Sequence, residues 1–194
     1  MKNIVQKLVS VFALVAVTGC LVPEKFSASI KVKPDGSYTY KYDGTAAHVM
    51  AVAAMQKQGS LSAKDEAGLK EEAQKAAKSP GVKKISYTGN GRYEVSIDQD
   101  LKPGQQASAL KVFSVTQGKD GVFTIAPTNM QPKDRDQLKA LNIKVNGKAE
   151  VYLPENAKVI NHNASSTPGL FGKAYAWKIG SVDERPSIRF TLGN

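Results

Sequence analysis

Two alternating patterns of apolar and polar residues follow an apolar N-terminus. Apolar residues alternate with Ser and Lys over residues 26–33, and tyrosines alternate with polar residues over residues 38–43. A period of two is typical of a strand with one buried face. The intervening Pro34-Asp35-Gly36 has the composition of a tight turn. The two segments are therefore predicted to form a β-hairpin.

The period changes after this hairpin. Residues 46–57 have the pattern of a helix capped by Thr45, and they are apolar on nearly every side, with His48 as an isolated polar residue. Such a helix is usually buried between layers, which makes His48 a hydrogen-bonded core histidine. The sequence Ser62-x-x-Asp65 is a capping box for a second helix over residues 63–78, whose narrow apolar face predicts a helix that covers the surface.

The rest of the chain carries mainly strand patterns. The candidate strands are residues 82–88, 92–98, 110–116, 122–126, 158–160, 175–179 and 188–192. Residues 134–140 indicate a short polar helix, and residues 142–153 form either a hairpin turning at Asn146-Gly147 or one longer bulged strand. Together these patterns predict an α+β fold, in which two helices are inserted after the first hairpin of a mainly antiparallel sheet of about eight to ten strands. Residues 26–194 are expected to form a single domain.

The N-terminus has the pattern of an export signal. Lys2 and Lys7 precede an apolar run, residues 8–17, which is too short to span a bilayer. Residues 1–19 are therefore predicted to be a signal peptide. The run ends in Val17-Thr18-Gly19-Cys20, which resembles the lipobox of bacterial lipoproteins. The alternative is an ordinary signal peptide with a cysteine at this place by chance.

The lipobox resemblance implies that Cys20 is acylated and becomes the first residue of the mature protein. Residues 20–25 would then be a lipidated cysteine and a short tether, and the body would lie close to the membrane. Leu21, rather than Asp, follows the cysteine. In enterobacteria-like sorting this predicts the outer membrane, with the domain facing the periplasm.

The charge balance is strongly basic, with 27 Lys and Arg against 17 Asp and Glu and a formal net charge of +10. Basic strand faces could contact anionic headgroups, or they could serve solubility and protect strand edges. We expect no binding to nucleic acid, because the chain carries an export signal and its lysines are dispersed rather than clustered.

Catalytic and metal-binding patterns are sparse. One cysteine and two histidines, His48 and His162, make a multi-cysteine metal site or a histidine-based triad improbable. No nucleotide-binding, zinc-protease or serine-hydrolase motif occurs. We therefore expect no catalytic residues, no metal and no cofactor, and we expect that the protein is not an enzyme.

The tyrosine strand and the apolar helix are the best candidates for a ligand site. Tyr38, Tyr40 and Tyr42 point to one face of the strand. Val49, Met50 and Ala53 lie on one side of the predicted helix. These six residues could line an apolar cavity, or they could pack directly against one another as a solid core.

The layout of the chain resembles the LppM-like lipoprotein family of mycobacteria and related bacteria. The shared features are the lipobox cysteine, the first hairpin with its Asp-Gly turn, the helical insert and the later hairpins. The strings Ala149–Pro154 and Ala174–Ile179 belong to the same pattern. The resemblance implies a β-rich domain similar to lipid-binding folds, without known enzymatic activity and associated with envelope glycolipids. A C-terminal membrane helix found in some members has no counterpart before Asn194.

These observations favour a non-enzymatic protein of the bacterial envelope, held in the membrane by acyl chains on Cys20. It is expected to bind a lipid, a glycolipid or a partner protein near the membrane. A structural or assembly subunit of an envelope machine is the alternative, and a periplasmic hydrolase is a third possibility. The sequence carries no information on oligomeric state.

Overall fold

The predicted first hairpin is present and is longer than its alternating pattern. In the computed structural model, which describes residues 21–107, 110, 112–170 and 172–193, the hairpin consists of β1 (Leu21–Val32) and β2 (Tyr38–His48). The predicted signal peptide and the acylation site at Cys20 lie outside the described residues. Two helices follow directly, as expected: α1 (Val49–Gln58) and α2 (Ala63–Ala76).

The described residues form ten strands and three helices, which confirms the α+β class. The remaining elements are β3 (Val82–Gly89), β4 (Arg92–Leu101), β5 (Phe113–Gln117), β6 (Phe123–Pro127), α3 (Pro132–Ala140), β7 (Asn146–Tyr152), β8 (Ala157–His162), β9 (Tyr175–Ile179) and β10 (Ile188–Leu192). The strands divide into two sheets rather than one. The larger has the order β3-β4-β2-β1-β7-β9, and the smaller has the order β5-β6-β10-β8. All named pairs are antiparallel except β1 with β7.

The segment expected to be a tether is the first part of β1. Leu21, Val22 and Pro23 pair with His48, Ala47 and Ala46 of β2, and the register then shifts before Phe26 pairs with Gly44. Residues 46 and 47, which the helical pattern had included, are thus strand residues. Pairing with two neighbouring strands outweighs the helix preference of alanine here, and both side chains are completely buried.

The start of α1 differs from the prediction for the same reason. The helix begins at Val49, and His48 rather than Thr45 caps it, because the Nδ1 atom of His48 accepts a hydrogen bond from the Ala51 amide at 3.2 Å. The Oγ1 atom of Thr45 instead accepts from the Lys25 amide at 3.2 Å. The expectation that α1 is buried on all sides is also wrong, since Met50 is 61% exposed. The second helix has its predicted cap, with the Ser62 hydroxyl accepting from the Asp65 amide at 3.1 Å.

Asn146-Gly147, the candidate turn of a hairpin over residues 142–153, instead begins the single strand β7. A Cβ atom at position 147 would lie 2.6 Å from the ring of Phe26 on the neighbouring strand, so only glycine fits without displacement. The ring of Phe26 also stacks on that of Tyr42, with 5.7 Å between the centroids. Glycine therefore serves a close approach between strands here, rather than a turn.

The core lies on one face of the larger sheet. The smaller sheet covers the part of this face formed by β1, β7 and β9, and the void between the two sheets is about 10 Å³. That is about the smallest space that holds a single water molecule. Helix α2 covers the part formed by β3 and β4, where Leu69 and Ala73 are buried and the Tyr93 hydroxyl donates to the Leu69 carbonyl at 3.4 Å. No described helix has the length and apolar character that a membrane span requires.

The tyrosines of β2 belong to this core. Tyr38, Tyr40 and Tyr42 are each at most 2% exposed. Their hydroxyls donate to the backbone carbonyls of Gln105, Leu110 and Thr45 respectively. Burial raises the pKa of Tyr38 to about 12, and it raises the pKa of the other two hydroxyls as well. Each ring is thus enclosed by protein, and each polar tip has a backbone partner.

Substitutions of Tyr40 test whether the three tyrosines of β2 form a packed core. We expect Tyr40→Ala to lower the free energy of unfolding by about 3–5 kcal/mol, because a buried aromatic ring is lost. Tyr40→Phe keeps the ring and removes only the bond to the Leu110 carbonyl, so it should cost about 1–3 kcal/mol. Urea unfolding followed by circular dichroism gives both values. Equal effects of the two variants would contradict close packing around the ring.

An apolar groove where the first strand begins

An open groove lies at the end of the larger sheet where β1 starts. It encloses about 600 Å³, and we call it the N-terminal groove. Apolar residues from several elements form most of its lining: Leu21, Val22, Pro23, Val49, Met50, Val112, Phe113, Pro127, Met130, Leu138, Val145, Ile179 and Val182. The polar lining residues are Thr128, Asn129, Asp134, Gln137, Ser181, Glu184 and Arg185.

The buried lining residues form the floor of the groove. Val22 of β1, Leu138 of α3 and Ile179 at the end of β9 are all at most 9% exposed. The exposed lining residues stand at the opening, where Met50 in the first turn of α1 is the most exposed apolar side chain. Thr128, Asn129 and Arg185 are also exposed. The groove therefore has an apolar interior and a mixed polar and apolar opening.

Ion pairs attach α3 to the loop that follows β9, and both segments contribute to the lining. Asp183 contacts Lys139 at 2.6 Å and Arg135 at 3.4 Å. The hydrogen bond from Lys139 holds the pKa of Asp183 below its ordinary value. Arg135 also donates to the Met130 carbonyl at 3.0 Å. Because these contacts join residues 130, 135 and 183, they fix two sides of the groove relative to each other.

A second set of contacts fixes the side formed by β1. Glu24, which is only 14% exposed, pairs with Arg92 of β4 at 3.0 Å. This pair bridges the register shift between Pro23 and Phe26. The ladder hydrogen bonds between β1 and β2 on the N-terminal side of the shift hold Leu21 beside His48. The backbone at this edge of the groove is thus held in the sheet.

The structure brings together only two of the six residues predicted to line a ligand site. Val49 and Met50 line the N-terminal groove, whereas Ala53 is half-buried one turn further along α1 and is not part of its lining. Tyr38, Tyr40 and Tyr42 lie in the core instead, because β2 pairs on both edges and its tyrosine face is covered.

Sequence reasoning missed Met130 and Leu138, which contribute to the opposite side of the groove. Both lie in a stretch rich in proline and polar residues, and we assigned no apolar face to it. Leu138 is the one buried residue of α3. An isolated large apolar residue in a short polar helix was the available signal, but it does not identify the surface that it contacts.

A second exposed apolar residue lies at the other end of the larger sheet. Strand β9 runs from Tyr175 toward Ile179, which lines the groove. The hairpin that precedes β9, in which Ser166 pairs with Ala176, therefore extends from the opposite end. Its tip is closed by backbone hydrogen bonds between Gly169 and Gly172, and Leu170 at this tip is 98% exposed.

Among the described residues, no group of three or more side chains is arranged to hold a metal ion.

The chain has structural similarity to proteins of known structure. The chain matches no protein-family model and no curated protein. Among solved structures it is similar to the folded domain of LppM from Mycobacterium tuberculosis, determined by NMR. The TM-score is 0.46 and the sequence identity is 13%, over 88% of this chain and 91% of that chain. An LppM domain is thus among the structures that resemble this chain. The lipobox itself lies outside the described residues.

The histidine that caps α1 makes stability depend on pH beside the groove. Burial lowers the pKa of His48 below its ordinary value of 6.5, and the charge of Glu72 opposes this shift. As the pH falls below about 6.5, the unfolded chain takes up a proton at His48 more readily than the folded chain. The stabilisation is therefore present above that pH and is lost as the pH falls toward the folded-state pKa.

We expect His48→Asn to flatten this pH dependence. Asparagine keeps a side-chain oxygen that can cap the helix, but it does not titrate. The measurement is the free energy of unfolding in urea between about pH 5 and pH 7.5. His162→Asn is the matched control, since His162 is exposed and lies outside the groove. If the wild type and His48→Asn have parallel pH profiles, the cap does not couple to the protonation of His48.

Proposed function

We propose that this protein is a non-enzymatic, lipid-anchored component of the bacterial envelope that binds a lipid in the N-terminal groove. The observation that carries the proposal is the position of Leu21. This residue lines the groove, and in the sequence it directly follows Cys20, the predicted site of acylation. Consecutive Cα atoms are about 3.8 Å apart. The predicted membrane anchor would therefore lie next to the apolar groove.

The lining suits an acyl chain. The buried floor offers an apolar surface, so a chain that leaves the bilayer for the groove stays out of water. Met50 and Met130 contribute unbranched side chains that adapt to different ligand shapes. The polar residues at the opening are suited to a headgroup that remains in contact with water. A glycolipid or a phospholipid has this division into an apolar chain and a polar head.

Anchoring also explains why a wide apolar groove is compatible with a basic and otherwise polar protein. The groove opens at the end of the body that Cys20 would hold against the bilayer, so its apolar opening would face headgroups rather than bulk water. The absence of Asp after Cys20 supports attachment to the outer membrane, with the domain in the periplasm.

A second candidate function is that of a structural or assembly subunit. The hairpin tip at Leu170 favours it, because a fully exposed leucine on a closed turn is available to contact a partner protein. This tip lies at the end of the larger sheet away from the predicted anchor. A protein bound there would stand on the periplasmic side of the body.

Substitution of Cys20, the predicted site of acylation, tests the anchor. We expect Cys20→Ser to leave either an unprocessed precursor or a product that is released from the membrane fraction, because several acyl chains together anchor a protein almost irreversibly. Cell fractionation and intact-mass measurement of the product distinguish these two results. A processed Cys20→Ser protein that stays in the membrane fraction, as the wild type does, would refute the anchor.

Photocrosslinking in living cells tests lipid binding by the full-length chain. A diazirine-bearing amino acid replaces Met50, which is exposed enough to tolerate the change, or Met130 on the opposite side of the groove. We expect lipid adducts at both positions, detected by mass spectrometry. Replacement of Met55 is the matched control, since it lies in the same helix and is not part of the groove lining. Equal yields of lipid adduct at positions 50 and 55 would contradict a groove-specific site.

A further inference from the structure

We propose that the N-terminal groove binds an acyl chain carried by Cys20 of the same molecule. This inference rests on the proposed lipid anchor and names the occupant of the groove. It differs from binding of a free membrane lipid, because the anchor itself would place one of its chains in the protein and leave the others in the bilayer.

The first support is that the first three residues of β1 form one side of the groove. Leu21, Val22 and Pro23 are consecutive, and all three line the groove. The Cα atom of the residue before Leu21 lies about 3.8 Å from the Leu21 Cα atom, and an acyl chain on Cys20 would begin a few bonds beyond that atom. No further residue of the polypeptide separates this attachment point from the groove.

The second support is that this attachment point is held in place. The pairing of Leu21 with His48 and of Val22 with Ala47 prevents the strand from swinging away from the groove. The Glu24–Arg92 ion pair and the bond from the Lys25 amide to the Thr45 hydroxyl oxygen fix the residues that follow. The short distance from Cys20 to the groove is therefore a property of the sheet, not of one conformation of a loose tether.

The third support is energetic. A free lipid that binds the groove loses translational and rotational freedom, which opposes association. A chain already bonded to Cys20 binds intramolecularly, at an effective concentration in about the millimolar range or above. Transfer from the bilayer exchanges one apolar environment for another, so this difference favours the chain of the same molecule over the chain of a free lipid. While the protein is away from a membrane, the groove would also shield that chain from water.

The tryptic peptides of the photocrosslinked full-length protein identify the occupant. Cleavage after lysine gives a lipopeptide of residues 20–25, and it gives one peptide of residues 42–57 that contains both Met50 and the control position Met55. Met130 lies in the peptide of residues 120–133. If the anchor occupies the groove, the lipopeptide becomes joined to residues 42–57 through position 50 and to residues 120–133 through position 130. Fragment spectra should place the new bond on the acyl chain.

The expected result is a joined lipopeptide at positions 50 and 130, with a yield several times that at position 55. Adducts with free phospholipid and no joined lipopeptide would overturn this inference while leaving the proposed lipid-binding function intact. No adduct of either kind, on a protein whose Cys20 is shown by mass to be acylated, would overturn both. A joined lipopeptide at position 55 in equal yield would also overturn the inference, because contact would then not depend on the groove.

A groove-filling variant provides an independent measurement. Met50→Trp places a bulky ring system at the opening of the groove. We therefore expect the yield of the joined lipopeptide at position 130 to decrease several-fold. Met55→Trp changes the same helix outside the groove and should leave that yield unchanged. Equal yields in the two tryptophan variants would show that the chain reaches position 130 by another route, and the inference would be wrong.

Discussion

The pairing of Leu21–Pro23 with Ala46–His48 is the contact on which the arrangement of the N-terminal groove depends. It keeps β2 extended to residue 48 and delays the first helix until Val49. It thereby sets the direction in which α1 leaves the sheet and places Met50 at the opening of the groove. Through the same pairing, the segment expected to be a short tether is part of the sheet, and the start of β1 lies beside an apolar surface.

Much of the fold could be predicted because local patterns and tertiary structure agree over most of the chain. The alternation in β1 and β2, the Ser62 cap of α2, and strands β9 and β10 follow directly from period and turn residues. The prediction fails at Ala46-Ala47, where a sequence suited to a helix is paired on both sides in a sheet. It also fails at Gly147, where close contact with Phe26 requires glycine in a strand. Both exceptions depend on partners that are distant in sequence.

The groove itself could not be predicted from the sequence. Its lining comes from β1, α1, β5, β6, α3, β9 and the connections between them, and no one segment has an unusual pattern. The tyrosine ladder attracted attention because its pattern is strong, but a strong alternating pattern in a central strand is the signature of a packed core. Met50 was predicted because it shares one side of the helix with Val49 and Ala53. The sequence pattern does not show that Met130 and Leu138 line the same groove as Met50, because the fold alone brings them together.

The parallel pairing of β1 with β7 has a consequence for the order of folding. Ala28 pairs with Ala149, so a strand near the beginning of the chain receives one neighbour from its last third. Contacts of such large sequence separation slow folding, because a long loop must close before they form. The hairpin of β1 and β2 can form early, but the centre of the larger sheet stays incomplete until β7 is available. During synthesis, the β1 edge of the hairpin therefore has no partner until residues 146–152 have been made, and an unpaired strand edge can pair with another chain.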